Sequence, residues 1–203
     1  MEWTNIIGDS ENQKYIDEYT LCCRYLLEKK GNHELIVLGL NPSIADSEVP
    51  DRTMKKVMHY AEQEGFDGFA MINLYPRRAI KPYNLREFNQ KIHKKNLEKI
   101  DSLFLQIDNP IILLAFGGNI MKIKFLTTCL FDVYNVLRKY NPSWKCLDVG
   151  KTGFPKHPLY LRKSLKMKSF DIDNFISSLQ KNLEAKNGIN ICRKESKRCL
   201  FNL

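Results

Sequence analysis

The sequence predicts an α/β protein, a single three-layer domain in which helices flank a central, mostly parallel, four-stranded sheet. Two observations lead to this expectation. Four short apolar runs alternate with longer segments whose apolar residues recur at the helical period. Such alternation is typical of a parallel sheet with helices on both faces. At 203 residues, 43% of them hydrophobic, the chain is long enough to bury one core of this kind.

The first half of the chain predicts a helix, a strand, a second helix and a second strand. Residues 11–30 predict the first helix because one broad face carries apolar or sulfur-containing residues, namely Tyr15, Tyr19, Cys22, Cys23, Leu26 and Leu27. Leu35 to Leu40 is a short apolar run typical of a buried strand. Thr53 is expected to cap a helix that Gly65 ends, and Phe69 to Asn73 predicts the second strand.

The second half repeats this alternation. Residues 84–106 predict a long helix whose inner stripe is Leu85, Phe88, Ile92, Leu97, Ile100 and Phe104. Pro110 to Phe116 is the most strand-like run, and a Gly-Gly turn leads from it into a helix over 120–140. Trp144 to Val149 predicts the fourth strand, and a helix over 172–184 closes the fold. Residues 1–186 are thus expected to form one domain, followed by a basic tail at 187–203.

Cysteine spacing and hydropathy exclude several classes of protein. The six cysteines form no Cys-x-x-Cys pair, so we expect reduced thiols, no metal and no disulfide framework. Gly117-Gly118 fits neither common nucleotide-binding pattern, and we expect no cofactor. No apolar stretch has the length of a membrane span, and no basic region followed by an apolar one begins the chain. We therefore expect a cytoplasmic monomer without a membrane partner.

The charge is concentrated in one part of the chain. The formal charge is +9, from 32 basic and 23 acidic residues. Residues 151–168, here called the basic stripe, contain no acid and carry six basic side chains: Lys151, Lys156, Arg162, Lys163, Lys166 and Lys168. A concentrated basic surface is typical of proteins that bind a nucleic-acid backbone, although a solvated basic face would have the same composition. The stripe predicts a nucleic-acid partner.

Polar loops follow three of the predicted strands. Asn41 lies in a Gly-Leu-Asn-Pro-Ser turn, Asn73 ends the second strand, and His157 lies in a loop rich in glycine and proline after the fourth. Carboxyl ends of parallel strands meet at one edge of a sheet, which is where α/β proteins bind ligands. We expect these three side chains to lie at that edge.

With these loops in place, the chain resembles the uracil-DNA glycosylase superfamily, most closely its bacterial and phage members of formerly unknown function. Four motifs carry the resemblance: Gly39 to Ser43, Asn73, Leu113 to Gly117, and His157-Pro158. The likeness spans residues 34–165. The last motif usually continues His-Pro-Ser, whereas here Leu and Tyr follow. The resemblance implies the superfamily fold and a DNA glycosylase that hydrolyses the N-glycosidic bond of a flipped pyrimidine-type base and leaves an abasic site.

The resemblance also implies catalytic roles. Asn41 would hold the attacking water, but an amide cannot accept its proton, so we expect Asp46 or Asp51 to do so. His157 would hydrogen-bond the leaving base oxygen, either as a neutral donor or as a cation. The departures from the superfamily favour a modified base, for example a hypermodified cytosine in phage DNA, and a role in defence against phage.

The remaining predicted contacts concern the base and the backbone. Asn73 would read the base edge, since its amide offers a donor and an acceptor. Tyr75 or Phe116 would stack on the base, or either would belong to the core. The expected phosphate contacts are Arg77, Arg78, Lys81, Lys151, Lys156, Arg162 and Lys163. Whether the DNA is single- or double-stranded stays open.

Two other functions fit the same residues. The first is a nucleic-acid-binding module without catalysis, which is motivated by Asn41 in a position where many superfamily members carry an aspartate. The second is an N-glycosidase acting on free nucleosides or nucleotides, which would leave the basic stripe unexplained.

Overall fold

The computed structural model describes residues 1–2, 6–13, 21–43, 49–79, 85 and 87–185. The chain divides into two compact units, Met1–Phe170 and Asp171–Leu203. In chain order the first unit contains β1 (Ile6–Gln13), β2 (Leu21–Lys29), β3 (Glu34–Gly39), α1 (Arg52–Gln63), β4 (Gly68–Asn73), α2 (Gln90–Phe104), β5 (Ile111–Leu114), α3 (Lys124–Leu137), β6 (Ser143–Cys146) and β7 (Lys168–Ser169). The described part of the second unit is one helix, α4, over 172–185. The predicted tail at 187–203 lies outside the described residues.

The described strands form one seven-stranded sheet in the order β1-β2-β4-β3-β5-β6-β7. The central strands β4, β3, β5 and β6 are mutually parallel and correspond to the four predicted strands. The prediction of an α/β fold with a parallel core is therefore confirmed. The predicted number of strands was too low, because β2 and β7 add antiparallel neighbours to this core and β1 pairs with β2.

The predicted first helix over 11–30 is wrong. Ile6–Gln13 and Leu21–Lys29 are antiparallel strands, and β2 continues the sheet by pairing with β4. The run from Leu21 to Leu27 is apolar at almost every position, so its spacing satisfies a helical stripe as readily as a buried strand. Tertiary pairing with β4 decides between the two. Residues 14–20, which carry part of the predicted helix, lie outside the described residues.

Helices cover both faces of the sheet, as the sequence predicted. Leu35 and Val37 belong to the same core cluster as Met54 and Val57 of α1. Ile36 is also buried, and by strand alternation it points to the opposite face. The chain crosses from β3 to β4 in one direction and from β4 to β5 in the other, so right-handed crossovers place α1 and α2 on opposite faces. The α3 helix packs beside α2.

Two helix starts differ from the prediction. The N-cap of α1 is Asp51 rather than Thr53, because the Asp51 carboxylate accepts a hydrogen bond from the Met54 amide. The α2 helix begins at Gln90 rather than residue 84, since Asn89 caps it through its side-chain oxygen. Both residues are favoured N-caps because they satisfy amides that have no partner within the helix. None of the described helices has the length and apolar character needed to cross a membrane.

Candidate active site

A cavity of about 610 Å³ opens at the carboxyl edge of the parallel strands. Its walls come from the loop after β3, the start of α1, the turn after β5 and residues 156–160. This is the edge at which the sequence placed the polar loops. Five residues with predicted roles line the cavity: Asn41, Asp51, Phe116, Lys156 and His157. Asp46 and Lys81 lie outside the described residues.

The Asn41 amide has a fixed orientation. Its Nδ2 donates to the Pro42 carbonyl at 2.9 Å and to the Ala79 carbonyl at 2.8 Å. The Ala79 amide in turn donates to the Pro42 carbonyl at 2.9 Å, so the loops after β3 and β4 are joined here. Because two carbonyls occupy the nitrogen side of the amide, Oδ1 is left as the acceptor that Asn41 can offer in the cavity.

Asp51 lies at the junction of the cavity and α1. Its Oδ1 accepts a hydrogen bond from the Met54 amide at 2.8 Å, which caps the helix. A carboxylate has a second oxygen with its own lone pairs. Asp51 can therefore cap the helix through Oδ1 and accept a proton or orient a water through Oδ2. The negative charge also faces His157, whose pKa it raises in opposition to a larger lowering by burial.

His157 is held as a neutral imidazole. Burial lowers its pKa from the ordinary value of 6.5, and this lowering exceeds the effect of Asp51. Its Nδ1 accepts a hydrogen bond from the Leu159 amide at 3.3 Å, at the start of the short 3-10 turn Pro158–Tyr160. An Nδ1 that accepts carries no proton, so the neutral ring carries its proton on Nε2. Of the two protonation states that the sequence left open, the geometry favours the neutral Nε2–H donor.

Gly117 sets the position of His157. Its backbone has φ 70° and ψ 173°, a conformation that is essentially restricted to glycine. A Cβ added at Gly117 would lie 3.1 Å from the His157 Cβ and 3.5 Å from the His157 backbone nitrogen. The turn after β5 therefore packs directly against the histidine. This contact assigns Gly117 a packing role.

Asn73 and Tyr75 are not part of the cavity lining, so the structure does not bring these two expected base contacts to the cavity. Asn73 is 1% exposed, and its Oδ1 would lie 2.6 Å from a Cβ added at Gly39. Its amide thus fills the space that the glycine leaves, behind the cavity wall. Tyr75 is fully buried, and its hydroxyl accepts a hydrogen bond from the Asn89 amide at 2.9 Å. Its ring contacts Phe125 edge-on, at 5.0 Å between centroids, as a core residue does.

Among the predicted phosphate contacts of the basic stripe, Lys156 has an ion-pair partner within the protein. Lys156 lines the cavity but forms an ion pair with Asp148 at 2.5 Å, and this contact is the largest cause of the lowered pKa of Asp148. Lys151, Arg162 and Lys163 are exposed, as a phosphate contact requires. Lys156 therefore has a structural partner that the sequence did not indicate.

Arg77 and Arg78 lie away from the cavity lining and are half-buried. Arg77 forms an isolated antiparallel bridge with Cys23 of β2, which draws it toward the sheet. These two arginines therefore expose less surface to a phosphate than the exposed side chains of the basic stripe do.

Helix α1 holds the later part of the basic stripe in place. Four of its side chains contact backbone carbonyls of residues 161–165: Lys56 donates to Leu161, Tyr60 to Arg162 at 2.8 Å and Gln63 to Leu165 at 2.7 Å, while His59 Nε2 lies 3.0 Å from the Lys163 oxygen. The backbone carbonyls face the helix. The exposed side chains of this segment are therefore carried on a fixed backbone.

Arg24 and Tyr160 are two of the cavity residues to which the sequence analysis gave no role. Arg24 is 3% exposed and lines the cavity from β2, which had been predicted as part of a helix. Tyr160 lies at the rim with 83% of its surface exposed, and its ring centroid is 6.1 Å from that of His157. The sequence signal for Tyr160 was its place beside the His-Pro motif within the basic stripe. We see no signal that would have identified Arg24.

Comparison with known proteins adds one finding. No curated protein and no solved structure matches the chain. A family model matches residues 24–159, a span that contains every cavity residue named above except Tyr160. Its description does not mention uracil-DNA glycosylases, so that resemblance stays a prediction. Because the match covers more than half of the chain, the protein belongs to the family described as protein of unknown function (DUF1643).

Proposed function

We propose that this protein is a DNA glycosylase, which hydrolyses the N-glycosidic bond of a flipped pyrimidine-type base and leaves an abasic site. One observation carries the proposal. Asn41, Asp51 and His157 line one cavity, and His157 is held there as a neutral Nε2–H donor. The three side chains are an acceptor for water, a carboxylate and a hydrogen-bond donor, which are the groups that this hydrolysis needs.

The proposed reaction is a displacement by water. Asn41 Oδ1 and the free oxygen of Asp51 hold a water, and Asp51 accepts its proton as the water oxygen bonds to the anomeric carbon of the sugar. The bond from that carbon to the base nitrogen breaks, and its electron pair leaves with the base. His157 donates a hydrogen bond to the base oxygen on which negative charge develops. The Asp51 carboxylate also stabilises the positive charge that the sugar acquires.

The size of the cavity supports a base larger than an unmodified pyrimidine. Cavities of about 300–1,000 Å³ usually bind whole drug-sized ligands. A cavity of about 610 Å³ lies within this range and leaves room beyond a single six-membered ring. Phe116, which is buried and lines the cavity, offers an apolar surface for stacking. We therefore include modified pyrimidines among the substrates, with defence against phage that carry modified DNA as the biological role.

The DNA strand would be bound along the basic stripe. Lys151, Arg162 and Lys163 are exposed, and the rim residue Tyr160 lies in the same part of the chain. Each phosphate that a protein neutralises releases counterions, so the logarithm of the binding constant falls with that of the salt concentration by about 0.9 per contact in duplex DNA. Changing both Arg162 and Lys163 to glutamine should make this slope shallower by about two contacts. An unchanged slope would remove the stripe from the DNA interface.

The activity is tested with oligonucleotides that each carry one candidate base, including uracil, thymine, cytosine and 5-hydroxymethylcytosine. The protein is incubated with each, alkali then cleaves abasic sites, and the products are separated by gel. We expect cleavage of at least one oligonucleotide, with His157→Gln reducing the rate by about 100-fold or more, as loss of a donor to a developing oxyanion does. If no strand in a wide panel is cleaved, the enzyme proposal is wrong.

A non-catalytic nucleic-acid-binding module is the second candidate. One observation favours it: Asn41 joins two loops and Asp51 caps α1, so each has a structural role that needs no reaction. This candidate predicts salt-sensitive DNA binding that is unchanged in His157→Gln, together with no abasic product from any oligonucleotide.

A further inference from the structure

Arg24 is the buried charged residue of the cavity that the proposed mechanism does not use. It lies on β2, is 3% exposed, and lines the cavity together with Met71 and Gly39. Arginine remains charged in proteins, and its guanidinium carries five N–H donors in a fixed planar arrangement. A cavity with such a group in its wall can bind ligands that present oxygen acceptors.

An irregularity in β2 directs Arg24 toward the cavity. Asp9 pairs with Leu26 but Ser10 pairs with Arg24, so Tyr25 is an extra residue in β2 and the pairing has a bulge there. Leu27 belongs to the core cluster on the α1 face of the sheet. Regular alternation from Leu27 would direct Arg24 to the opposite face. The bulge inverts this alternation and returns Arg24 to the α1 face, where Met71 also lines the cavity.

Arg24 and His157 lie on opposite sides of the cavity. His157 packs on Gly117 at the end of β5, whereas Arg24 belongs to β2, and β4 and β3 lie between these two strands. Three strand spacings separate β2 from β5, a distance of roughly 14 Å between their backbones. This distance accommodates the two side chains with a base between them. A pyrimidine whose O2 faces His157 therefore turns positions 4 and 5 of its ring toward Arg24.

We propose that Arg24 determines the specificity of the cavity by donating hydrogen bonds to an oxygen acceptor at position 4 or 5 of the bound pyrimidine. The inference rests on the proposed function for the identity of the ligand as a base. A guanidinium has only donors, so it can donate to a 4-keto oxygen or to an oxygen-bearing substituent at position 5, and it disfavours the bare 4-amino group of cytosine. Arg24 thus takes the role of reading the base that the sequence had assigned to Asn73.

The test measures binding rather than cleavage. Oligonucleotides of one sequence carry uracil, cytosine, 5-hydroxymethylcytosine or a base-free sugar analogue, each base being on a 2′-fluorinated sugar that resists hydrolysis. Fluorescence anisotropy gives the affinity of each for the protein and for its Arg24→Met, Arg24→Lys and Arg138→Met variants. Arg138 is an exposed arginine outside the cavity lining and is the matched control.

The wild type and Arg138→Met should bind the uracil probe, the 5-hydroxymethylcytosine probe or both about 10- to 100-fold more tightly than the cytosine probe, the range for a hydrogen bond from a charged donor. Arg24→Met should abolish this ratio while binding the base-free probe normally, and Arg24→Lys should keep part of it. A preference for uracil assigns the acceptor to position 4, and one for 5-hydroxymethylcytosine assigns it to position 5.

A wild type that does not discriminate, or a ratio that survives in Arg24→Met, overturns the proposal. If Arg24→Met does not fold, an unaltered affinity ratio in Arg24→Lys also overturns the proposal, because a lysine in place of the guanidinium is not an equivalent donor. Failure of the proposed function gives a different result. In that case, probes with a hydrolysable sugar stay intact after incubation with the protein, whether or not the affinity ratio is as expected.

Discussion

Replacing Gly117 with alanine tests whether the turn after β5 positions His157. The backbone of Gly117, at φ 70° and ψ 173°, lies in a region where a residue with a Cβ costs about 1–3 kcal/mol. The new methyl would also lie 3.1 Å from the His157 Cβ, closer than ordinary contact allows, so the histidine must move. With a urea dependence of about 2 kcal/mol per M, the midpoint of unfolding should fall by about 0.5–1.5 M.

Two other glycines separate strain from contact. Gly65 has φ +84° and a Cβ there would meet nothing within 4 Å, so Gly65→Ala introduces positive-φ strain without a contact to the histidine. Gly118 lines the cavity but has open space around it and no positive φ, so Gly118→Ala should have little effect on stability. Urea unfolding gives the stability of each variant, and base release is measured at a temperature where all three are folded. Gly117→Ala should lose activity by about 10- to 100-fold, as small misplacements of reacting groups do, whereas Gly65→Ala should keep it.

A parallel loss of stability and activity in Gly117→Ala and Gly65→Ala would refute a positioning role for Gly117, because the contact with His157 would then have no separate effect. That role is also refuted if the imidazole ¹⁵N resonances of His157 are the same in Gly117→Ala and in the wild type. Those resonances report which ring nitrogen carries the proton, and a displaced ring would exchange its hydrogen bond from Leu159 for water.

Three further outcomes are expected. The pKa of His157 in the folded protein lies below its ordinary value of 6.5, so the stability that comes from the neutral ring is complete above pH 6.5. This stability is lost as the pH falls from 6.5 toward the folded pKa. In urea titrations at decreasing pH, the wild type should therefore lose up to about 1.4 kcal/mol per pH unit more than His157→Gln. Asp51→Asn should keep the stability that the α1 cap provides, whereas Asp51→Ala should lose about 1 kcal/mol. Both variants should lose base release. Wild-type activity in Asp51→Asn would exclude the Asp51 carboxylate as the general base. Burial raises the pKa of Cys129 to about 12 from 9.0, so mass spectrometry should show native Cys129 alkylated about a thousandfold more slowly than in urea.

The parallel core and the edge that holds the site were predictable from local sequence. Asn41 and His157 follow short apolar runs and lie among Gly and Pro, and such segments leave a sheet at its carboxyl edge. The β2 strand was not predictable in the same way, because its residues are apolar on both faces and fit a helix equally well. Arg24 was missed with it. Its direction depends on a bulge in the pairing with β1, and pairing is a tertiary property.

Asn73 shows why a position at the end of a strand is not sufficient to place a side chain in the cavity. Its position after a buried strand was predicted correctly, since β4 ends at Asn73. In the sheet, however, Asn73 pairs in register with Gly39. The glycine has no side chain, and the amide of Asn73 occupies that space instead of the cavity. Which side chains reach a ligand thus depends on the neighbouring strand.

Helix α1 connects the cavity with the basic stripe. Its first turn is capped by Asp51, which lines the cavity, and Tyr60 within the same helix donates to the Arg162 carbonyl. A phosphate bound by Arg162 is therefore held at a fixed distance from the carboxylate that would activate water. The span shared with the DUF1643 family ends at residue 159, before this segment begins. The proposed catalytic residues Asn41, Asp51 and His157 lie within the matched span, whereas the proposed phosphate contacts Arg162 and Lys163 lie beyond it.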